Sequence, residues 1–456
     1  MKKLLLVICA FGLIVQTNAT HLMGGQITSQ NIGGLTYAIT LTVYRDTNGI
    51  PMSPVQILNY YDNLSNPIGT NTVPQAGMSN FGNGVEEYVF LDTITFPSSG
   101  DYTIIWEDCC RNCAILNLTN PCGESFYLTN ELWADSSNSS PVFLNPPIPI
   151  AQLMQPYIYN PLPFDADGDS LYWTLDIPLS MGGLQVVGFT LPPSDTSMPF
   201  TMNQTNGEIS FMPNTVGNFV VSVLVKEYRA GVEIGTTRRD YQILVIPTLA
   251  PPPNISTTSN SFPYSGKQFY ITPGTGFTFT MTASDIDNRY LEISGVGEAM
   301  ILSNPLVGAY TNGFTTASAA LSWTPTTNEA RVKPYVLALR VAQYHSIYKF
   351  ITDHTIQLFV GSNPIGISEN SNANFNDIYP NPSSGNFNVV YNTKNAGQVT
   401  ISVYTLTGNK VSEQKIQVNS GMNVISVNDI NLVKGNYMVQ ISNNGKVETK
   451  QITIEK

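Results

Sequence analysis

Residues 36–44 read TYAITLTVY, in which an apolar side chain at every second position alternates with threonine or alanine. Residues 102–106, YTIIW, repeat this alternation in part. A period of two residues indicates β-strands that bury one face. Strands of this kind predict an antiparallel sheet with one face against a core and the other toward solvent.

The composition extends this prediction to the whole chain of 456 residues. The 23 Tyr and 20 Phe favour pleated sheet, and the 35 Gly and 30 Pro recur too often for long helices to fit between them. We therefore expect an all-β protein built from several tandem antiparallel β-sandwich domains, Ig-like or cadherin-like in kind. This composition argues against an α/β nucleotide-binding enzyme.

Proline-rich and polar stretches predict the domain boundaries. A first β-sandwich with a cysteine cluster spans 20–140 and ends where prolines become frequent. An Ig-like or cadherin-like module, 141–248, and an Ig-like module, 249–361, resemble two copies of one unit, because an aspartate loop and two long final strands recur in the same order. A polar linker, 362–376, precedes a compact last section, 377–456.

The N-terminus predicts a removable signal peptide over residues 1–19. Lys2 and Lys3 precede an apolar run, and small residues precede a cleavage site between Ala19 and Thr20. No other stretch approaches the ~20 consecutive apolar residues of a transmembrane helix. We therefore expect export without a transmembrane span.

The charge balance argues against two classes of partner. Loss of Lys2 and Lys3 with the signal peptide leaves 19 basic residues against 32 acidic ones, a net charge of −13. A surface of this sign repels nucleic-acid phosphates and anionic lipid. We expect no nucleic-acid partner and no binding to membranes through a basic patch.

The last section carries four motifs in a fixed order: YPNPSSG, LTG, KGNY and KQITI. Their principal residues are Tyr379, Pro380, Asn381, Pro382, Gly385, Gly408, Gly435 and Tyr437. The section resembles the type A C-terminal sorting domain of proteins that Bacteroidota export by type IX secretion. This resemblance implies transport through the periplasm and the type IX secretion machinery. It also implies removal of the domain by a sortase, with attachment to surface polysaccharide or release outside the cell.

The N-terminal region resembles a part of large surface proteins of the same lineage that are associated with gliding and adhesion. The segments that carry this resemblance are 20–25, 44–46, 106–112 and 138–143. The resemblance implies a location at the extracellular or outer-membrane surface. It does not define a ligand.

The predicted mature chain has four cysteines in one short segment: Cys109, Cys110, Cys113 and Cys122. Disulfides are the expected state on an export route, and four cysteines allow three connectivities. A bond from Cys113 to Cys122 closes the simplest loop and would contribute roughly 2 to 3 kcal/mol of stability. A zinc cluster or a redox centre with the Cys110 to Cys113 spacing are the alternatives.

An acidic loop occurs near the start of each predicted copy. Asp165, Asp167 and Asp169 place three carboxylates within five residues, and Asp285 and Asp287 are their counterpart in the second copy. Ca²⁺ takes several oxygen ligands of this kind and would relieve the mutual repulsion, so it is the one cofactor expected. The glycine is fourth in the first loop, where an EF-hand requires it sixth. A solvated Asp-Gly turn is the alternative.

No known catalytic motif of the HExxH, GxSxG, P-loop or dinucleotide-binding type occurs, so we expect no enzyme activity. The sequence favours a secreted or cell-surface protein that acts in adhesion, with an unknown ligand, or as a structural spacer. A glycan-binding surface protein is the alternative, because aromatic rings stack on sugars. The rings considered are Tyr60, Tyr61, Trp133 and Trp173. Burial in a sandwich core is the competing explanation for them.

Overall fold

The computed structural model describes residues 22–361 and 375–455. It leaves out residues 205, 261, 262, 266 and 332 in the first range and 380, 382, 384, 394, 407, 420, 429–431, 444 and 445 in the second. The predicted signal peptide, with Ala19 and Thr20, lies outside the described residues, as does most of the predicted linker. The chain divides into two compact units, Met1–Asn363 and Pro364–Lys456.

The described residues form β-sheets and contain no α-helix, so the all-β prediction is confirmed. The first fourteen strands are β1 Leu22–Gly33, β2 Thr36–Asp46, β3 Val55–Asp62, β4 Pro67–Gly82, β5 Val85–Thr95, β6 Gly100–Asp108, β7 Phe126–Ala134, β8 Val142–Phe143, β9 Ile150–Gln152, β10 Tyr157–Tyr159, β11 Pro163–Phe164, β12 Ser170–Asp176, β13 Leu179–Ser180 and β14 Leu184–Gln185. The other strands of the first unit are β15 Thr201–Met202, β16 Ile209–Phe211, β17 Gly217–Arg229, β18 Val232–Ile246, β19 Asn254–Ser259, β20 Pro263–Ser265, β21 Gln268–Ile271, β22 Phe277–Ser284, β23 Tyr290–Gly297, β24 Val307–Thr311, β25 Gly313–Phe314, β26 Thr316–Trp323, β27 Tyr335–His345 and β28 Tyr348–Val360. Short 3-10 helices occur at Pro121–Gly123, Met181–Gly183, Glu298–Met300 and Thr327–Glu329.

The first seven strands close into a ring with the help of β18. Hydrogen-bonded neighbours follow the order β1-β2-β5-β4-β3-β6-β7-β18, and β18 pairs in turn with β1. One edge of β18 pairs with β7 at Gly235 and then with β1 at Tyr241. The sheet therefore continues across the predicted boundary at residue 140, because a strand of the predicted module 141–248 completes the first group of strands.

The alternation in β2 matches the position of each side chain in this ring. Tyr37, Ile39, Leu41 and Val43 are all fully buried in the core that the ring encloses. The sequence period of two residues thus selects the buried face correctly.

Where β1 pairs with β18, a seam of the ring, the two backbones approach so closely that position 24 must be glycine. A Cβ atom on Gly24 would lie 2.6 Å from the carbonyl oxygen of Asp240 and 2.9 Å from Cα of Tyr241. Both distances are shorter than a carbon atom tolerates, so only glycine permits this pairing.

On its other edge β18 pairs with β17. These two strands contribute to the hydrophobic core of the second part of the unit, which corresponds to the predicted module 141–248. Strands β18, β17 and β12 lie side by side, and a small sheet of order β10-β16-β15 contributes to the same core. That core contains Trp173, Phe211, Val223 and Ile243. The third part of the unit corresponds to the predicted module 249–361. Its core lies between two sheets, one of order β19-β22-β26-β24 and one of order β20-β21-β28-β27-β23-β25.

A buried carboxylate links the second and third parts of the first unit. Asp353 is fully buried, and its Oδ2 accepts hydrogen bonds from Asn145 Nδ2 at 2.8 Å and from the Asn160 amide at 3.1 Å. Arg340 Nε donates to Asp353 Oδ1 at 2.8 Å, and its Nη2 reaches the carbonyl oxygen of Pro146 at 3.0 Å. A buried ion pair with this many partners holds the two parts in one relative arrangement.

The second unit is a small β-sandwich. Its strands are β29 Phe375–Tyr379, β30 Phe387–Thr393, β31 Gly397–Thr405, β32 Lys410–Val418, β33 Gly421–Val427, β34 Gly435–Asn443 and β35 Lys446–Ile454. They form a sheet of order β29-β30-β33 and a sheet of order β32-β31-β34-β35. One hydrophobic core lies between them and includes Val389, Ile401 and Val439.

Candidate functional site

The three aspartates of the first acidic loop, residues 165–169, lie together immediately before β12. One carboxylate oxygen from each of Asp165, Asp167 and Asp169 lies within 4.8 Å of the others, and only Asp167 is exposed. Asp165 Oδ1 accepts hydrogen bonds from the amides of Asp167 at 3.0 Å and Asp169 at 2.9 Å, which folds the loop around that carboxylate.

Arg229, the last residue of β17, pairs with one of these aspartates. Its Nε and Nη2 donate to Asp169 Oδ1 and Oδ2 at 2.9 and 2.5 Å. The same guanidinium donates to Asn138 Oδ1 at 2.7 Å. Asp167 Oδ2 accepts a hydrogen bond from the Ser139 amide at 2.5 Å. These contacts satisfy Asp169 but leave Asp165 Oδ2 without a hydrogen-bond partner among the described residues.

Glu227 is a fourth acidic residue at this loop, and the sequence analysis did not select it. Its side chain is fully buried, and neither carboxyl oxygen has a hydrogen-bond partner among the residues that the structure describes. Burial, reinforced by the charges of Asp165 and Asp169, raises the pKa of Glu227 to about 9. Burial also raises the pKa of Asp165, to about 6.

A pattern in β17 could have revealed Glu227. Phe219, Val221, Val223 and Val225 occupy alternate positions and are fully buried, and Glu227 continues that series. An acidic residue at the next inward position of an apolar strand face is unusual, because burying a charge is costly unless it is paired.

The second acidic loop, residues 285–289, is satisfied by its own neighbours. Arg289 Nη1 lies 2.6 Å from Asp287 Oδ2 and 3.5 Å from Asp285 Oδ2. Gln343 Nε2 donates a hydrogen bond to Asp285 Oδ2. The structure therefore supplies a cationic partner at the pair for which Ca²⁺ was predicted, and we do not propose a metal there.

The four cysteines are arranged as two disulfides, one between Cys109 and Cys110 and one between Cys113 and Cys122. The second joins residues whose Cα atoms are 4.5 Å apart. This is one of the three connectivities that the sequence allowed.

Two of the four aromatic residues considered for glycan binding, Tyr60 and Trp173, belong to hydrophobic cores. Tyr60 is fully buried and Trp173 is 5 % exposed, Tyr61 is partly buried, and Trp133 is 39 % exposed. The structure reveals a different group of rings, which we call the aromatic cluster. It consists of Tyr290, Phe314 and Tyr344.

The aromatic cluster combines exposed rings with charged groups. The ring of Tyr290 contacts those of Phe314 and Tyr344 with centroid distances of 5.4 and 5.6 Å. Phe314 is 68 % exposed and Tyr344 is 39 % exposed. Tyr344 Oη donates to Glu292 Oε2 at 2.6 Å, and Lys349 Nζ lies 3.1 Å from the same oxygen.

The predicted sorting motifs have structural roles in the second unit. Asn381 connects the opening motif to the final strand, since its Oδ1 accepts from the Thr453 amide at 2.9 Å and its Nδ2 donates to the Gln451 carbonyl at 3.1 Å. Gly408 has a φ of +85°, which favours glycine in the turn before β32. Tyr437 Oη donates to the Val433 carbonyl at 3.0 Å.

The remaining motif residues are placed as follows. Tyr379 ends β29, Gly435 begins β34, and the Gly385 amide donates to Ser383 Oγ at 3.0 Å. Pro380 and Pro382 lie outside the described residues.

This unit also has a counterpart among known families. Residues 377–455 match a secretion system C-terminal sorting domain. The sorting domain identifies the protein as one that is exported to the cell surface or the extracellular space, as the sequence predicted. It also implies an interaction with the type IX secretion machinery. Among the described residues, no helix is long and apolar enough to cross a membrane.

Comparisons with solved structures gave only distant similarity. A crystal structure of titin domains is 12% identical, and the match covers 69% of this chain and 99% of that one with a TM-score of 0.16. BcpA, the major pilin subunit of Bacillus cereus, is 10% identical, with 66% and 95% of the two chains covered and a TM-score of 0.18. No curated protein matches this chain.

Proposed function

We propose that residues 22–361 are the non-catalytic body of a surface protein that Bacteroidota export by type IX secretion, and that this body acts in adhesion or as a structural spacer. The match of residues 377–455 to a sorting domain carries this proposal. The resemblance that we infer from sequence segments of the N-terminal region, to surface proteins associated with gliding and adhesion, favours the adhesive role.

Contacts within the body support a mechanical role. Asp353 joins the second and third parts through buried hydrogen bonds. The turn between β4 and β5 also contacts the third part, because Asn83 Nδ2 donates to the Lys349 carbonyl at 2.8 Å and Asn83 Oδ1 accepts from the Lys349 amide at 2.7 Å. A body with buried and partly buried polar contacts between its parts resists bending where those parts meet, which suits a spacer.

Sorting would end in removal of the second unit. In this proposal the type IX machinery recognises residues 377–456, a sortase cleaves the chain before them, and surface polysaccharide anchors the body. The test is deletion of residues 377–456 in the native host, followed by cell fractionation, an immunoblot against the body and intact-mass analysis. We expect the truncated protein to remain in the periplasm.

A reporter carrying the signal peptide and residues 362–456 is the matched control, and it should reach the surface without the body. Normal surface display of the truncated protein would refute the sorting role. Full-length mature protein at the surface would refute cleavage and anchoring, while leaving export intact.

Glycan binding is a second candidate, favoured by the aromatic cluster. Exposed Phe314 and Tyr344 offer apolar faces for sugar rings, and Glu292 and Lys349 offer polar groups for hydroxyls. The test compares retention on immobilised host surface polysaccharide for wild type and the double variant Phe314→Ala, Tyr344→Ala. Trp133→Ala is the matched control, because Trp133 and Tyr344 are equally exposed at 39 %. Equal retention of all three proteins would remove this candidate.

A further inference from the structure

The two acidic loops occupy equivalent positions in two copies of one strand pairing. In the second part of the unit, β12 pairs with β17 so that Leu171 lies opposite Glu227. In the third part, β23 pairs with β27 so that Leu291 lies opposite Gln343. Glu227 and Gln343 therefore hold the same place relative to the loop that precedes the first strand of each pair.

The loops themselves fold in the same way. Asp165 Oδ1 accepts hydrogen bonds from the amides two and four residues later, and Asp285 Oδ1 does the same. Asp169 is thus the counterpart of Arg289. Because the two loops correspond residue by residue, the partners of the aspartates in the second loop can be compared directly with those in the first.

In the second loop each acidic group has a compensating partner, an amide or a guanidinium. Gln343 Nε2 donates to Asp285 Oδ2, and Arg289 lies against both Asp285 and Asp287. Position 343 on the strand therefore carries an amide and position 289 in the loop carries a guanidinium. Both groups supply N–H donors.

In the first loop the same two positions are occupied by carboxylates. Asp169 replaces the arginine and Glu227 replaces the glutamine, so neither of these side chains supplies an N–H donor to Asp165 Oδ2, which has no hydrogen-bond partner among the described residues. Asp165 is 6 % exposed and Glu227 is fully buried, and three of their four carboxyl oxygens have no hydrogen-bond partner within the described structure. Arg229 donates to Asp169 and makes no hydrogen bond to Asp165 or Glu227.

Unpaired buried carboxyl oxygens are costly, and native proteins satisfy nearly all such groups. A hard cation compensates several of them at once, because each carboxylate supplies one or two oxygen ligands. Ca²⁺ accepts six to eight oxygens in irregular geometry, whereas Mg²⁺ demands near-ideal octahedral coordination. The irregular arrangement of one loop and one strand residue suits Ca²⁺ better.

We propose that the first acidic loop binds Ca²⁺ through the carboxylates of Asp165, Asp167 and Glu227, with Asp169 held beside the ion by Arg229. Glu227 is the residue that distinguishes this site from the second loop, and it supplies a ligand from the strand rather than from the loop. The site is independent of the proposed function, because it requires neither the sorting domain nor a surface ligand.

The test uses the full chain, stripped of metal with EGTA and titrated with CaCl₂ by isothermal calorimetry and thermal unfolding. We expect saturable binding of one Ca²⁺ and a rise in Tm of several degrees, because a ligand that binds only the folded state stabilises it. Glu227→Gln should weaken binding by roughly tenfold or more, since affinity follows the number of charged ligands.

The glutamine variant also separates loss of a ligand from loss of the fold. Gln343 occupies the equivalent place and donates to Asp285, so Glu227→Gln should be at least as stable as the metal-free wild type. Glu233→Gln is the matched control, because Glu233 lies on the neighbouring strand, faces solvent and pairs with Lys226. It should retain wild-type Ca²⁺ affinity.

Three results would overturn the proposal. One is a wild-type Tm that Ca²⁺ leaves unchanged, which would mean that a proton shared between Glu227 and its neighbours replaces the ion. Another is Ca²⁺ binding of equal strength in wild type and Glu227→Gln. A third is tighter binding of Mg²⁺ than of Ca²⁺, which would contradict the assignment of the ion.

Discussion

Arg111 and Asp240 form an ion pair in which neither side chain is exposed to solvent. Arg111 Nη2 lies 2.6 Å from Asp240 Oδ2, and Nη1 lies 3.2 Å from Oδ1. The guanidinium also lies 4.1 Å from the centre of the Phe126 ring. The pair therefore connects the cysteine-containing segment to β18, the strand that completes the N-terminal ring.

Removal of one partner should leave a buried charge without compensation. We expect Arg111→Met and Asp240→Leu each to lower the free energy of unfolding by about 3 to 5 kcal/mol, and the double variant to cost less than the sum. Urea unfolding of the four proteins measures this coupling. Lys226→Ala, which breaks an exposed pair, should cost less than about 1 kcal/mol. Additive single effects would contradict the pairing.

Gly24→Ala should weaken the seam between β1 and β18. The added Cβ would meet the Asp240 carbonyl, and relief requires separation of the two strands. We expect a loss of about 1 to 3 kcal/mol in urea unfolding and faster hydrogen exchange along β1. Gly69→Ala is the control, because its Cβ would have no neighbour closer than 4.0 Å. Equal stability of the two variants would show that β1 and β18 accommodate a Cβ atom at position 24 without loss of stability.

Acid should destabilise the body through His354. Burial, with a smaller contribution from Lys267, lowers the pKa of this imidazole to about 4, against the opposing effect of Asp353. The unfolded chain therefore binds the proton on this imidazole first as the pH falls below about 6.5, and the contribution of His354 to stability decreases toward pH 4 by up to roughly 3 kcal/mol.

Thermal unfolding of wild type and His354→Gln across this range isolates this contribution. The difference in stability between the two proteins should move in favour of the variant as the pH falls from about 6.5 to 4. A difference that stays constant with pH would remove His354 as the cause.

The disulfide arrangement has a direct chemical test. Peptide mapping without reduction should recover Cys113 joined to Cys122, and a peptide containing Cys109 and Cys110 that is lighter by two hydrogens than its reduced form. The double variant Cys113→Ser, Cys122→Ser should lose about 2 to 3 kcal/mol of stability, the value expected for a loop of this size. Recovery of a peptide that joins Cys110 to Cys113 would contradict the arrangement.

Local features of the fold were predictable from the sequence. The alternation in residues 36–44 identified the buried face of β2, and the aspartate loops, from which a repeat was predicted, precede two strand pairs of matching register. Both signals depend on residues that are close together in the chain, where side-chain period and turn chemistry determine the backbone.

Distant pairings were not predictable in the same way. Residues 236–240, TTRRD, are all polar, yet all five are buried because β18 contacts β7, β1 and the Arg111 segment at once. Several of their polar groups have partners far away in sequence, such as Gln26, whose Oε1 accepts from Arg239 Nε at 2.6 Å. The alternation of side chains along one strand does not indicate which distant residues will contact it.

The candidate site shows the same difference between residues that are close in sequence and residues brought together by strand pairing. Asp165, Asp167 and Asp169 were identified from the sequence because they lie in one turn. Glu227 lies on another strand and reaches the loop only through the pairing of β12 with β17. Its place in an apolar strand face was visible, but its proximity to the aspartates depended on strand register.

The part played by β18 limits how this chain is assembled and divided. Gly24 and Tyr241 are neighbours in the sheet although 217 positions separate them, so β1 and β7 keep unpaired edges until residue 246 has emerged during synthesis and transport. Unpaired edges invite association with other chains, which makes a holding chaperone valuable over that interval. A fragment that stops at residue 140 keeps the same edges permanently. The smallest portable piece at this end of the chain, for recombination or for expression, is therefore 22–246.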